Sequence, residues 1–376
     1  MKIKKILKEI FINNFKLKKN KHASKKALLS FIVHPYLKKN KKHPNALELF
    51  TIVRVLSELD FHVTIVDYRR KKISGNYDLV IGFGDCFEYA INNNIGKTYV
   101  NYSTGSPSIY QNKKSIEAMG RFMSNHPEQR PQSPCQYLRL TENIWPNQLI
   151  SSDAIITIGN DYIKSLFSRF HGSVYTIPAI CFDIEADITE DMEIERNSII
   201  WFGGKGVIHK GLDLCIDAVK NSKYKLYIAG PIDNEISIFK DIISMYPDNF
   251  KYIGFLDINS DKFIEYAKKI PYVILPSCSE GIATSVITLA NNFGTIPIVS
   301  KECGIDYVRD VVRIESLTIA SIKKSLCILD LLDNQEIIKN RIAIKKHFKE
   351  KYSITAFYSQ FKKHLTKILQ EKNDYI

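Results

Sequence analysis

IPYVILPSCSEGIATSVITLANNFGTIPIVSKECGID, residues 270–306, decides the fold. Its apolar run Tyr272-Val273-Ile274-Leu275 has the length and β-branched content of a buried parallel strand. Pro276-Ser277-Cys278-Ser279 breaks the strand, and Glu280-Gly281 make the turn. From Ile282 the apolar spacing becomes helical through Val286, Leu289, Ala290 and Phe293, and Gly294 closes the helix. A second buried strand follows at Ile296–Val299. In such a βαβ unit, ligands bind at the carboxyl edge of the sheet, where a helix start offers free N–H groups to a phosphate. Glu280 and Gly281 fall at that edge. As an ordinary helix-start acid, Glu280 would need no ligand at all.

Working outward, the same alternation recurs on both sides. Towards the N-terminus, strands are expected at 27–34, 62–68, 77–83, 97–102, 154–158 and 174–177, with helices between them. After a weakly periodic, acidic stretch, strands return at 198–202, 224–230 and 250–255, and helices at 318–331, 335–349 and 354–370 close the chain. A chain of 376 residues is long for a single core, so two α/β domains are expected.

The strand at 198–202 runs into Gly203-Gly204-Lys205-Gly206-Val207-Ile208-His209-Lys210-Gly211. Two cations five residues apart around a glycine turn can grip the phosphates of a diphosphate and stabilise it as a leaving group. As plain solvated loop lysines they would do neither.

Taken together, PSCSEG, a helix, G-x-x-P-I-V-S and this lysine loop resemble the donor site of the family 4 retaining glycosyltransferases. The loop resembles the family's G-R-x4-K-G, with Lys205 at the arginine position and Lys210 at the lysine. Glu280 matches the first residue of Glu-x7-Glu, and Thr288 stands where the second glutamate would be. A loop at 43–48 resembles an H-x-N-x-x-E pattern found in a subset of the family, matched at His43, Asn45 and Glu48. His43 and Asn45 read equally well as a helix-entry cap.

The resemblance implies a GT-B fold: two Rossmann-like domains facing across a cleft, with a C-terminal helix crossing back to the N-terminal domain. The expected organisation is a basic leader (1–26), an acceptor domain (27–180), a linker (181–197), a donor domain (198–353) and a crossover helix (354–376). It implies transfer of a sugar from a nucleotide sugar to a glycan or lipid-linked acceptor, with retention and without a metal or other cofactor. It assigns donor contacts to Gly203, Gly204, Lys205, Lys210, Gly254, Phe255, Leu256, Ser279, Glu280, Gly281, Ile282, Ala283 and Thr288, the last binding ribose more weakly than a glutamate. Lys205, Lys210, Glu280 and His43 would carry the chemistry. On the acceptor side the candidates are Asn45, Glu48, Thr104 and His126, and for His126 a lone surface histidine is the plainer reading.

Charge adds one more expectation. Ten lysines and one glutamate in residues 1–26 give +9 of the chain's +13, so the body is nearly balanced and no broad nucleic-acid surface is expected. Ile3, Ile6, Leu7, Ile10, Phe11 and Phe15 lie at helical spacing among those lysines. That pattern fits a basic amphipathic helix on an anionic membrane face; it equally fits a terminal helix packed on its own protein, or a frayed tail. Membrane association would suit a lipid-linked acceptor in bacterial capsule, O-antigen or other surface-polysaccharide synthesis. Seven scattered cysteines without a C-x-x-C pair indicate neither a disulfide framework nor zinc, and a reduced cytoplasm is expected. The contrasting class is a catalytically silent module of the same fold that binds sugar or nucleotide, and Thr288 is its best support.

Overall fold

In the computed structural model, residues 15–34, 44–184, 186–190, 192–308 and 310–373 are described. The chain divides into two compact units. The first takes the described residues up to Pro107, Asn143–Phe182 and the chain from Ser353 onwards; the second takes Ser108–Glu142 and Asp183–Tyr352.

The first unit is a seven-stranded sheet built from β1 (Leu17–Lys19), β2 (Lys25–Phe31), β3 (Phe61–Asp67), β4 (Tyr77–Gly82), β5 (Gly96–Ser103), β6 (Ala154–Ile158) and β7 (Val174–Ile177), in the order β1-β3-β2-β4-β5-β6-β7. All pairs are parallel except β1, which lies antiparallel on β3. Strands such as β3 and β6 are buried almost end to end rather than at alternate residues, as parallel strands covered on both faces are.

The C-terminal helix Ile354–Asn373 belongs to this unit. Phe357 and Phe361 pack edge-on against Tyr102, and Lys362 and Lys372 pair with Glu58 and Asp153. The crossover expected of the last helix is present.

Two expectations about the N-terminal half need correction. Residues 1–14 of the leader lie outside the described residues. Residues 17–19 form an edge strand and β2 opens at Lys25, so the end of the 1–26 leader is part of the sheet. The first domain is also not the contiguous 27–180. Helix Ser108–Asn125 and the segment to Glu142 join the second unit, where Arg121 pairs with Asp213 at 3.0 Å and His126 bonds Asp217 at 2.8 Å. Both acids lie on helix Leu212–Val219, so the chain's own charges hold this excursion in place.

The second unit carries β8 (Ser198–Phe202), β9 (Lys225–Ala229), β10 (Phe250–Gly254), β11 (Tyr272–Leu275), β12 (Ile296–Ser300) and β13 (Val312–Ile314), all parallel, in the order β10-β9-β8-β11-β12-β13. The chain winds one way from β8 to β10 and then jumps to β11 on the other side of β8. The order therefore reverses between β8 and β11, and a crevice opens beyond the carboxyl ends of those two strands.

Helix Thr284–Phe293 after β11 is fixed at its far end by Arg341, which is wholly buried and donates to the carbonyls of Phe293, Ala267 and Lys268. These are the orphan acceptors of two helix C-termini, which a cation complements. No described helix is long and apolar enough to cross a membrane, and all seven cysteines are free.

Candidate functional site

At the switch point the loop after β8 and the turn after β11 are pressed together. Gly211 (φ 68°) caps helix Leu212–Val219, and a Cβ there would come within 2.3 Å of the Pro276 carbonyl oxygen. Only glycine allows both that left-handed backbone and that approach. Cys278 donates its amide to the His209 carbonyl at 2.9 Å. The Ser300 hydroxyl donates to the Ser277 carbonyl at 2.7 Å, tying the turn to the end of β12.

Lys210 and Glu280, expected to share a site, form a direct ion pair with both side chains buried. Ser277 donates to the Oε1 atom that takes Lys210, at 3.0 Å, and Arg139 Nη1 approaches Oε2 at 3.2 Å. Burial alone would raise the Glu280 carboxyl. Lys210 above all, and then Arg139, overcome that and hold it at about 2.

Beneath the pair lies His209, fully buried. Its Nε2 is 2.7 Å from the Ser279 carbonyl, which can only accept, so Nε2 carries the proton and Nδ1 accepts from the Ser115 hydroxyl at 2.7 Å. Burial pulls the imidazole down to about 4, which keeps it neutral. On the other side of the loop, the buried Glu235 carboxylate accepts the amides of Gly206 and Val207 at 2.8 and 2.9 Å, fixing the glycine turn between the two lysines.

The remaining expected donor residues fall in three groups. Lys205 and Gly204 sit on the same loop, Lys205 exposed and Gly203 buried. Gly254 (φ 70°) accepts the Gly230 amide at 2.9 Å, and next to it Phe255 is 66 % exposed while Leu256 is nearly buried. Of the turn amides, that of Ala283 is taken by the Cys303 carbonyl at 2.8 Å and cannot serve a phosphate; those of Gly281 and Ile282 have no partner among the described residues. Thr288 turns its hydroxyl back onto the Thr284 carbonyl at 2.9 Å, as threonine does inside a helix, which weakens its case as a ribose ligand.

The acceptor-side set fares differently. His43 lies outside the described residues. Asn45 and Glu48 are on helix Pro44–Glu58 of the first unit, and Thr104 is in the loop after β5. Glu48 is no exposed ligand: it is 2 % exposed and accepts from the Tyr102 hydroxyl at 3.1 Å. His126 is in the second unit, its ring tilted against Phe122 and bonded to Asp217, which gives it a structural role there.

Sequence reading missed Arg139, Glu235 and the His209–Ser115 bond. Arg139 lies in the Pro- and Gln-rich stretch 127–150, which carries no motif of its own. Glu235 gave no signal beyond being an acid after a turn, and His209 was hidden as a variable position between two lysines.

No family model and no curated protein matches the sequence. Solved structures do. HepE of Anabaena, solved in complex with UDP-glucose, aligns over 92% of this chain and 100% of its own at 12% identity and a TM-score of 0.56. The lipopolysaccharide outer core galactosyltransferase WaaB, in its apo form, aligns over 91% and 99% at 12% identity and a TM-score of 0.55. The catalytic domain of starch synthase IV from Arabidopsis thaliana, bound to ADP and acarbose, aligns over 87% and 78% at 11% identity and 0.51. What this chain shares with them is the GT-B fold, with its two parallel-sheet domains.

Proposed function

We propose that this chain is a glycosyltransferase that moves a sugar from a nucleotide-sugar donor to a glycan or lipid-linked acceptor. The carrying observation is the meeting of Lys210 and Glu280 at the switch point of the second sheet, joining two motifs far apart in sequence. The solved complex of the similarly folded HepE with UDP-glucose supports the same donor class.

In this reading Lys210, with Lys205 nearer solvent, binds the diphosphate, and the free amides of Gly281 and Ile282 assist. Glu280 bonds hydroxyls of the transferred sugar while keeping the Lys210 ammonium aimed. As the bond from the anomeric carbon to the phosphate oxygen breaks, charge gathers on the departing diphosphate. Fixed cations in a crevice stabilise that charge without reorganising. The acceptor oxygen forms the new bond on the face the diphosphate leaves, with retention, and gives its proton to the departing diphosphate oxygen. Lysines and amides do here what a divalent ion does elsewhere, so no metal enters the proposal.

Two refinements belong to the same proposal: a place in bacterial surface-polysaccharide synthesis, and peripheral attachment to an anionic membrane. The attachment is supported by the basic leader, whose ten lysines face a single glutamate within residues 1–26. Co-sedimentation with anionic vesicles, for the full chain and for a variant lacking residues 1–14 but keeping β1, tests it: equal binding removes the leader's role.

The rival, a silent binding module, is favoured by Thr288 with its hydroxyl turned inward. Nucleoside diphosphate release from a panel of UDP-, GDP- and ADP-sugars separates the two. Release by wild type that Lys210→Ala abolishes is the enzyme's result. Binding of a donor without release from any member of the panel is the module's.

A further inference from the structure

We infer that Arg139, a residue outside every motif of the chain, is a second anchor for the donor's diphosphate. The inference rests on the nucleotide-sugar reading and adds to it the guanidinium that the lysine loop lacks. Lysine is a point charge, whereas a guanidinium presents a rigid fork that matches phosphate oxygens two at a time. Lys205 stands where the resembling loop has arginine, so the loop alone offers no fork.

Arg139 supplies one at the same spot. Its stem crosses the glycine turn: a Cβ on Gly206 (φ 86°) would lie 2.6 Å from Arg139 Cγ. Its Nη1 reaches Glu280 Oε2 at 3.2 Å, on the opposite carboxylate oxygen from Lys210. Two cations from separate segments therefore converge on one carboxylate.

The arginine's backbone is held for this placement. Gln111 donates to its carbonyl at 2.7 Å, and Asn112 clamps Thr141 through two bonds of 2.8 Å. The Tyr137 carbonyl accepts the amides of Ile208 and His209 at 3.2 and 3.4 Å, tying this segment to the lysine loop itself. The Arg139 side chain is 44% exposed, whereas that of Lys210 is closed in at 10%. A diphosphate carries more charge than one carboxylate and competes for that fork while Glu280 turns to the sugar.

Calorimetric titration with UDP, GDP and ADP tests this on wild type, Arg139→Met, Arg139→Lys and Lys210→Ala. Met keeps the stem over Gly206 and removes the charge. Charge-assisted bonds contribute about 1.5–3 kcal/mol each, so Arg139→Met is expected to weaken the preferred diphosphate about 10- to 100-fold. Arg139→Lys should recover part of that and not all. In a Glu280→Gln background Arg139→Met should weaken binding again. If its effect vanishes there, Arg139 acts only through Glu280 and the inference is overturned. It is equally overturned if Lys210→Ala weakens binding while Arg139→Met leaves it at the wild-type value. Wild type that binds none of the three diphosphates removes the donor reading, and the inference with it.

Discussion

Replacing Glu48 with glutamine should stabilise the first unit at alkaline pH and do little in mild acid. Glu48 lies on helix Pro44–Glu58, wholly enclosed, and accepts from the Tyr102 hydroxyl at 3.1 Å. Tyr102 is itself surrounded by Phe31, Phe357 and Phe361, so this apolar cluster offers the carboxyl no cation among the described residues. Burial raises the carboxyl to about 7 against an ordinary 4.5, an effect the tyrosine's bond only partly offsets.

A carboxyl raised in the folded state keeps its proton where the unfolded chain has lost it. Stability therefore falls as pH rises from about 4.5 to 7 and then levels off. At about 1.4 kcal/mol per unit, the shift costs about 3 kcal/mol at pH 8. Glutamine keeps the shape and accepts from Tyr102 but has no charge to bury. Urea unfolding at pH 5 and pH 8, in a Trp201→Phe background that leaves Trp145 as the reporter of this unit, measures it. Glu48→Gln should gain about 3 kcal/mol at pH 8 and less than about 1 kcal/mol at pH 5. A difference independent of pH, or a loss at pH 8, would refute the reasoning.

Three further outcomes are expected. Glu280 is depressed to about 2, so its contribution is complete above about pH 4.5 and lost as pH falls through 2. Acid titration of second-unit stability, read by Trp201 fluorescence, should show a drop of about 3 kcal/mol that Glu280→Gln flattens. Gly211→Ala forces a left-handed alanine against the Pro276 carbonyl, which should cost at least about 2 kcal/mol in thermal unfolding and weaken nucleotide binding together with stability. His209→Leu leaves the Ser115 hydroxyl without its partner and takes one of two donors from the Ser279 carbonyl, at a cost of about 1–3 kcal/mol in urea unfolding. In the wild type, proton NMR should show no titration of the His209 ring between pH 5.5 and 8.

Much of this was legible from sequence because buried parallel strands write themselves as short apolar runs. The strands Ser198–Phe202 and Tyr272–Leu275, the lysine loop and the Glu280 turn sit in unbroken local patterns, so their order and their shared edge follow from chain order and handedness alone. What escaped depended on partners distant in sequence. The leader's helical spacing, Ile3 to Phe15, falls almost wholly outside the described residues, and the lysine-rich Leu17–Lys19 becomes a strand only by hydrogen-bonding along β3. Helix Ser108–Asn125 follows the first domain's strands in the chain, and its partners Asp213, His209 and Phe239, all distant in sequence, assign it to the second unit. Arg139 and Glu235 carry no pattern of their own, and only folding gives them meaning. For Glu48, the family-like spacing pointed to a ligand, whereas its enclosure with Tyr102 makes it a core group.

The most direct measurement is a crystal structure of the chain grown with the nucleoside diphosphate it binds best. The account predicts phosphate oxygens within about 3 Å of Lys210 Nζ and the Arg139 guanidinium, with the base beside Gly254–Leu256. A diphosphate bound elsewhere, with Lys210 still closed on Glu280 and the glycine loop empty, would contradict it.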